Sequence, residues 1–149
     1  MRILIKGGHL IDPANKKNGQ FDVLINKGKI EAVEPEGKIA DISSGEIIDA
    51  KGSIVAPGFC DMHVHFREPG HEYKETIETG SNSAAAGGFT TVAVMPNTFP
   101  VNDSRSVTEF ILSQAKETSN INILTIGAIT KGLKGETLSD MGELKEAGC

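Results

Sequence analysis

Residues 57–67 read Pro-Gly-Phe-Cys-Asp-Met-His-Val-His-Phe-Arg, and the sequence pattern changes there. Before them, short β-branched and apolar runs are separated by turn-forming pairs such as Lys27-Gly28, and no segment has helical periodicity. After them, strand-like runs begin near residues 59, 89 and 121, with helical segments between them. A spacing of ~30 residues is typical of βαβ units with parallel strands. The sequence therefore predicts a β unit over residues 1–56 and an α/β unit over residues 57–149.

The predicted elements follow from periodicity and from helix-capping residues. In the β unit, strands are predicted at 3–6, 9–11, 21–26 and 29–33, with a hairpin turn at 26–29. In the α/β unit, strands are predicted at 59–66, 89–95 and 121–129, and helices at 73–86, about 105–118 and 138–147. The second helix is predicted to bury one face, which consists of Val107, Phe110, Ile111 and Ala115.

Parallel strands at this spacing belong either to a doubly wound sheet or to a barrel, and periodicity alone leaves both open. A (β/α)8 barrel needs ~250 residues. The 149 residues have room for only about three βα units after residue 57. We therefore expect an incomplete fold whose next strand is missing.

The amino-acid composition makes some classes of function less plausible than others. Lys and Arg number 15 and Asp and Glu number 20, which gives a net charge of −5. An acidic chain without a basic stripe is a poor nucleic-acid binder, so a small-molecule substrate is expected. No run approaches the ~20 apolar residues of a membrane span. Two cysteines, with no signal peptide, indicate a reducing compartment, and we expect a cytoplasmic protein.

Two histidines, His63 and His65, stand two residues apart in the first predicted strand of the α/β unit. Alternate residues of a strand share a face, so we expect two adjacent imidazoles with Arg67 next along that face. Imidazole is a common zinc ligand, and barrel enzymes collect catalytic groups at the carboxyl ends of strands. The alternative is a chance pair among four histidines. His9 is expected to be structural, and His71 to be a solvated loop residue.

Asn97 follows the second strand of this unit, which Pro96 ends by removing a backbone donor. A guanidinium and an amide at the ends of neighbouring strands can hold a carboxylate together, so we predict that Arg67 and Asn97 bind substrate. The alternatives are an ordinary turn asparagine and a salt bridge from Arg67 to Glu68 or Glu72.

Several segments together resemble the bacterial dihydroorotases of the amidohydrolase superfamily. The stretch from Pro57 to Gly70 resembles the first metal-binding segment of that family. The next segments of that family are also matched in this chain, by Tyr73-Lys74-Glu75-Thr76, Gly87-Gly88-Phe89-Thr90-Thr91 and Met95-Pro96-Asn97-Thr98. Ile11-Asp12-Pro13 and Asp49-Ala50-Lys51-Gly52 resemble the superfamily's N-terminal β unit. The resemblance covers nearly the whole chain.

This resemblance implies an α/β fold, the first part of a (β/α)8 TIM barrel, preceded by a small β-sandwich unit built from both chain ends. It implies zinc, two ions per complete active site, with His63 and His65 as ligands of one ion. It also implies that His65, Arg67 and Asn97 contact the substrate. The implied activity is that of a zinc-dependent cyclic amide hydrolase. It cyclises N-carbamoyl-L-aspartate reversibly to dihydroorotate in de novo pyrimidine (UMP) biosynthesis.

The same resemblance places the metal-bridging carboxylate, two further histidines and the catalytic aspartate beyond Cys149. No catalytic residue is therefore expected within this chain, and residues 1–149 alone are expected to be inactive. Two other functions stay open. One is a hydantoinase or allantoinase, whose ring offers Arg67 no carboxylate. The other is a non-catalytic dihydroorotase-like subunit that supports aspartate transcarbamoylase. A homo-oligomer, and association with aspartate transcarbamoylase, are further expectations.

Overall fold

The computed structural model describes residues 1–149, which divide into two compact units, Met1–Pro57 and Gly58–Cys149. The first unit is a β-sheet whose strands are β1 (Arg2–Asp12), β2 (Lys17–Asn26), β3 (Lys29–Pro35), β4 (Glu46–Asp49) and β5 (Ile54–Val55). The strand order is β3-β2-β1-β4, and β5 also pairs with β1. β2 runs antiparallel to both β1 and β3, whereas β4 and β5 run parallel to β1.

The predicted hairpin between β2 and β3 is confirmed, because Asn26 pairs with Lys29 across a two-residue turn. Both turn residues have positive φ, 50° at Lys27 and 75° at Gly28, as a type I′ turn requires.

The prediction of two strands in the first eleven residues is wrong, because β1 is one continuous strand. Its register against β2 shifts between Ile5 and Gly8, so Gly7 and Gly8 belong to an irregularity within one strand. Gly7, with φ 65°, donates its backbone N–H to the fully buried carboxylate of Asp22 at 2.9 Å. Asp22 also accepts from the backbone of Gly37 at 2.7 Å, so one carboxylate holds both the irregularity and the end of β3.

The second unit alternates strands and helices, as predicted. Its elements are β6 (Phe59–Val64), α1 (Ile77–Ala86), β7 (Phe89–Val94), α2 (Arg105–Thr118), β8 (Asn122–Thr125), a short 3-10 turn (Lys131–Leu133) and α3 (Met141–Ala147). The strands form one parallel sheet in the order β6-β7-β8. The α/β class and the βαβ order are confirmed.

Capping residues shift the predicted start of the first helix. Helix α1 begins at Ile77, not at Tyr73, because Thr76 is extended and its hydroxyl accepts the backbone N–H of Thr79. The Thr79 hydroxyl in turn accepts the backbone N–H of Thr76, which completes a capping box. The predicted last helical residue, Ala86, is confirmed, with Gly87 as the C-cap.

The last strand and the last helix are also shorter than predicted. Strand β8 ends at Thr125, not at residue 129. Helix α3 begins at Met141, not at Leu138, because the carboxylate of Asp140 accepts the backbone N–H of Glu143. Gly148, with φ 116°, ends this helix in the left-handed conformation that favours glycine.

The core of the second unit lies between one face of the sheet and helices α1 and α2. Its buried members are Phe66, Ile77, Val92, Val94, Val107, Ile111, Ala115 and Ile123. The prediction that Phe110 belongs to the buried face of α2 is wrong, since its side chain is 40% exposed. On the other face of the sheet, Leu124 is 52% exposed although its partner Ala93 is buried, so this face is covered only in part.

Candidate functional site

The candidate site lies where β6 and β7 end. His63 is the penultimate residue of β6, and His65 follows the last one. Their ring centroids are 5.2 Å apart and the rings are inclined by 63°. The structure therefore brings both imidazoles together, with His63 exposed and His65 partly buried.

Asn97 reaches His65 from the end of the neighbouring strand. Its Oδ1 lies 2.8 Å from Nδ1 of His65, within hydrogen-bonding distance. Sequence reasoning placed Asn97 beside Arg67 and missed this contact. The signal that could have revealed it is that His65 and Asn97 both lie just beyond the ends of strands that pair in parallel.

Arg67 does not lie on the histidine face of a strand, and that prediction is wrong. Strand β6 ends at Val64, and Arg67 has a φ of 62°, in the left-handed region. Backbone hydrogen bonds hold this conformation, since His71 N donates to Arg67 O at 3.0 Å and Glu68 N donates to Phe66 O at 2.7 Å. The position of the guanidinium is therefore set by a tight turn and not by strand alternation.

The guanidinium of Arg67 has no salt bridge in the structure, so that alternative is also wrong. Glu68 uses its Oε2 to accept the backbone N–H of Ile77, at the start of α1, at 2.8 Å. Glu72 uses its Oε1 to accept the backbone N–H of Gly70 at 2.7 Å, and this bond lowers the pKa of the Glu72 carboxyl. Both neighbouring carboxylates are engaged by the backbone, and Arg67 is left as an unpaired cation.

A buried asparagine fixes the segment that carries Asn97. Asn102 is fully buried, and its backbone N–H donates to Pro96 O at 3.0 Å. Its side-chain amide donates to Ile126 O at 3.1 Å and accepts from the Thr108 hydroxyl at 2.7 Å. Asn102 thus joins the loop after β7 to the end of β8 and to α2. Sequence reasoning missed it, because nothing in its local context distinguishes it from a turn asparagine.

The other two histidines lie elsewhere. His9, in β1, lies with its Nε2 2.7 Å from Oδ1 of Asn18. The ring of His71 lies near Tyr73 and Phe99, with centroids 6.1 and 6.3 Å away. The chain has no cluster of three or more His, Cys, Asp or Glu side chains suited to a metal ion. Neither His9 nor His71 therefore forms a third ligand beside His63 and His65.

Comparison with known proteins identifies the family. Residues 52–149 match the family model described as dihydro-orotase-like. The chain belongs to this dihydroorotase-like family. The region matched includes both histidines, Arg67 and Asn97. No helix of this family member is long and apolar enough to cross a membrane.

Curated relatives support the family assignment over the whole chain. The chain is 54% identical over 150 residues to a dihydroorotase of Geobacter metallireducens and covers 35% of that protein. It is 53% identical over 147 residues to a dihydroorotase of Acetivibrio thermocellus and covers 34% of it. The chain thus spans about a third of the length of the dihydroorotases that it matches.

Solved structures with a similar fold belong to related hydrolases. An L-hydantoinase (dihydropyrimidinase) of Arthrobacter aurescens aligns with 97% of this chain and 30% of its own, with a TM-score of 0.79 and 26% identity. A D-hydantoinase (dihydropyrimidinase) of a Thermus species aligns with 97% of this chain and 30% of its own, with a TM-score of 0.69 and 29% identity. The dihydroorotase-like chain therefore shares its α/β fold with these hydantoinases.

Two imidazoles with adjacent rings fit part of a zinc site. Catalytic zinc ions usually have three protein ligands and an open position. His63 and His65 supply two nitrogen donors of the appropriate type. A third protein donor is not provided by the residues of this dihydroorotase-like chain.

Proposed function

We propose that this chain forms the substrate-anchoring part of a zinc-dependent dihydroorotase. The reaction is the reversible cyclisation of N-carbamoyl-L-aspartate to dihydroorotate, a step in pyrimidine biosynthesis. The observation that carries the proposal is that Arg67, two residues after His65, forms no salt bridge, in a chain of the dihydroorotase-like family.

The substrate assignment follows from charge. Both forms of the substrate carry a carboxylate, and a cation without an internal partner favours an anion at this position. Glu68 and Glu72 are held on backbone amides, so neither carboxylate neutralises Arg67. Asn97 lies at the end of the adjacent strand and offers an uncharged donor. Arg67 and Asn97 therefore bind the substrate carboxylate.

The metal assignment follows from the paired imidazoles. His63 and His65 hold one zinc ion, and the remaining ligands come from other parts of the whole protein. When bound, zinc lowers the pKa of a coordinated water and polarises the carbonyl that reacts. His63 lies near the end of β6, and His65 and Arg67 follow that end. Asn97 follows the end of the paired strand β7, so the residues of this chain hold the substrate close to that ion.

The proposed fold of the whole protein rests on the incomplete covering of the β6-β7-β8 sheet. Strands β6 and β8 are the edges of a parallel sheet, and parallel sheets are normally covered on both faces. The exposure of Met62 (77%) and Leu124 (52%) supports a second covered face in the whole protein. We infer that β6, β7 and β8 are the first three strands of a (β/α)8 barrel, and that the β unit forms part of a sandwich.

A hydantoinase is the second candidate, because solved hydantoinases share the fold. Dihydrouracil tests the difference, since it is dihydroorotate without the carboxylate. The experiment measures hydrolysis of both rings by the zinc-loaded full-length protein. A preference for dihydroorotate of at least about 30-fold in kcat/KM, equivalent to ~2 kcal/mol from a buried charge pair, supports the dihydroorotase. Equal or preferential hydrolysis of dihydrouracil refutes it in favour of the hydantoinase.

A further inference from the structure

The contact between His65 and Asn97 determines which nitrogen of His65 carries a proton. The carbonyl oxygen of an asparagine amide only accepts hydrogen bonds, and a neutral imidazole has one N–H donor and one bare acceptor nitrogen. Oδ1 of Asn97 lies 2.8 Å from Nδ1 of His65, and a hydrogen bond between these two atoms requires the proton on Nδ1. Nε2 is then the nitrogen with a free lone pair.

The opposite orientation of the amide would have the opposite effect. If the NH2 group of Asn97 faced His65, Nδ1 would have to accept and the proton would move to Nε2. Nε2 would then carry no lone pair for a metal ion. The observed orientation also leaves the NH2 group of Asn97 without a hydrogen-bond partner in this chain, on an exposed side chain.

We propose that Asn97 is a positioning residue for His65 as well as a ligand of the substrate. Its oxygen fixes the Nδ1–H tautomer and the ring orientation that present Nε2 to zinc, and its NH2 group donates to the substrate carboxylate. One side chain therefore couples metal binding to recognition of the anion. This inference rests on the proposed zinc-dependent dihydroorotase, and it adds a role that the proposed function does not require.

Two substitutions at position 97 separate the two halves of the amide. Asn97→Asp keeps an oxygen acceptor for His65 but replaces the NH2 donor by a second oxygen, which repels the substrate carboxylate. Asn97→Leu has a similar size and removes both halves. Asn97 is exposed, so both variants are expected to fold.

The chain also offers a matched control. His9 and Asn18 form the same kind of histidine–asparagine contact, at 2.7 Å, in the β unit. Asn18→Leu breaks that contact without touching the candidate site. Its zinc affinity and KM are expected to equal those of the wild type.

The experiment measures zinc affinity of the full-length protein by competition with a chelator, and KM and kcat for dihydroorotate at saturating zinc. Loss of an outer-shell hydrogen bond typically weakens metal binding 10–100-fold, and we expect Asn97→Leu to lose affinity in about that range. We expect Asn97→Asp to bind zinc at least as tightly as the wild type while its KM rises about 30-fold or more. Nitrogen-15 shifts of His65 in the metal-free protein should show the Nδ1–H tautomer in wild type and Asn97→Asp only.

Other results overturn the inference. If Asn97→Leu binds zinc as tightly as the wild type and only its KM rises, Asn97 does not position His65, although the proposed function stands. If Asn97→Asp loses zinc as strongly as Asn97→Leu, the oxygen acceptor is not the group that matters. If the wild type itself binds no zinc, the proposed function fails together with this inference.

Discussion

The carbonyl oxygen of Phe99 occupies the position that a β-carbon on residue 70 would need, so the loops after β6 and β7 meet at Gly70. A backbone hydrogen bond from Phe99 N to Pro69 O, 2.9 Å long, joins the same two loops. Gly70 also has a φ of 95°, which side-chain-bearing residues rarely adopt. The loop that carries Arg67 is thereby held against the loop that carries Asn97.

Gly70→Ala is expected to destabilise the protein and to raise KM for a carboxylate substrate, because the two loops must separate to admit a methyl group. Gly135→Ala is the control, since Gly135 has a φ of 75° and no neighbouring atom within 4 Å. The positive φ alone costs about 1–2 kcal/mol in the control, and Gly70→Ala should cost more. Denaturant unfolding of full-length variants measures both. Equal losses in the two variants would show that the loop contact adds nothing.

His63→Ala is expected to remove most of the zinc from the full-length protein, because the variant lacks one of two adjacent imidazoles. Metal analysis after dialysis measures the zinc content. His9→Ala is the control, because His9 lies in β1 and contacts Asn18. The ligand assignment would be abandoned if His63→Ala retained as much zinc as the wild type.

Arg67→Lys is expected to lower kcat/KM for dihydroorotate by an amount equivalent to about 2–5 kcal/mol, with normal zinc content. Lysine keeps the charge but loses the planar fork that binds a carboxylate through two N–H groups. Arg105→Lys is the control, because Arg105 forms surface salt bridges to Glu109, Glu143 and Glu146. Near-normal kinetics in Arg67→Lys would exclude Arg67 as the carboxylate ligand.

Because of Glu72, the stability of the folded protein is expected to depend on pH in the acid range. The Gly70 backbone N–H donates to its carboxylate and lowers its pKa below the ordinary value of 4.5. A lowered folded-state pKa stabilises the protein above the unfolded value, and this contribution is lost as the pH falls through the folded value. Glu72→Gln should therefore melt below the wild type at neutral pH, and the difference should shrink below pH 4.5.

The expected effect at Glu72 is small, because the side chain is exposed to solvent. Glu136→Gln, at an exposed glutamate outside these two loops, provides the control. The melting temperatures of Glu72→Gln and the wild type could instead differ by the same amount at every pH in this acid range. That result would mean that the charge of Glu72 does not contribute to stability.

The order of elements was predictable from sequence, because turn residues and apolar periodicity act locally. The first residues of the helices were harder to predict than the order of elements. A single capping contact, at Thr76 or at Asp140, sets where the helix begins even where periodicity suggests an earlier start. The adjacency of His63 and His65 followed from their spacing. The prediction for Arg67 was wrong because its backbone forms a turn and not a strand. The next residue, Glu68, accepts a hydrogen bond from the backbone of Ile77, nine residues further on at the start of α1.

The pairing of His65 with Asn97 could not be predicted from local pattern, because it depends on which strands are neighbours. The two residues are 32 positions apart and meet only because β6 pairs with β7. The salt-bridge alternative for Arg67 failed for a similar reason. Backbone N–H groups, which a sequence does not display, engaged both candidate carboxylates.

The mixed pairing of β1 implies an order of folding for the β unit. Its pairing with β2 closes a short loop, from Asp12 to Lys17, whereas its pairing with β4 joins Leu4 to Ile47. Closing the longer loop costs more chain entropy, and β4 gains only four paired residues from it. The antiparallel strands β1 to β3 should therefore form first. Amide hydrogens of β4 and β5 should exchange with solvent sooner than those at the centre of β1 and β2.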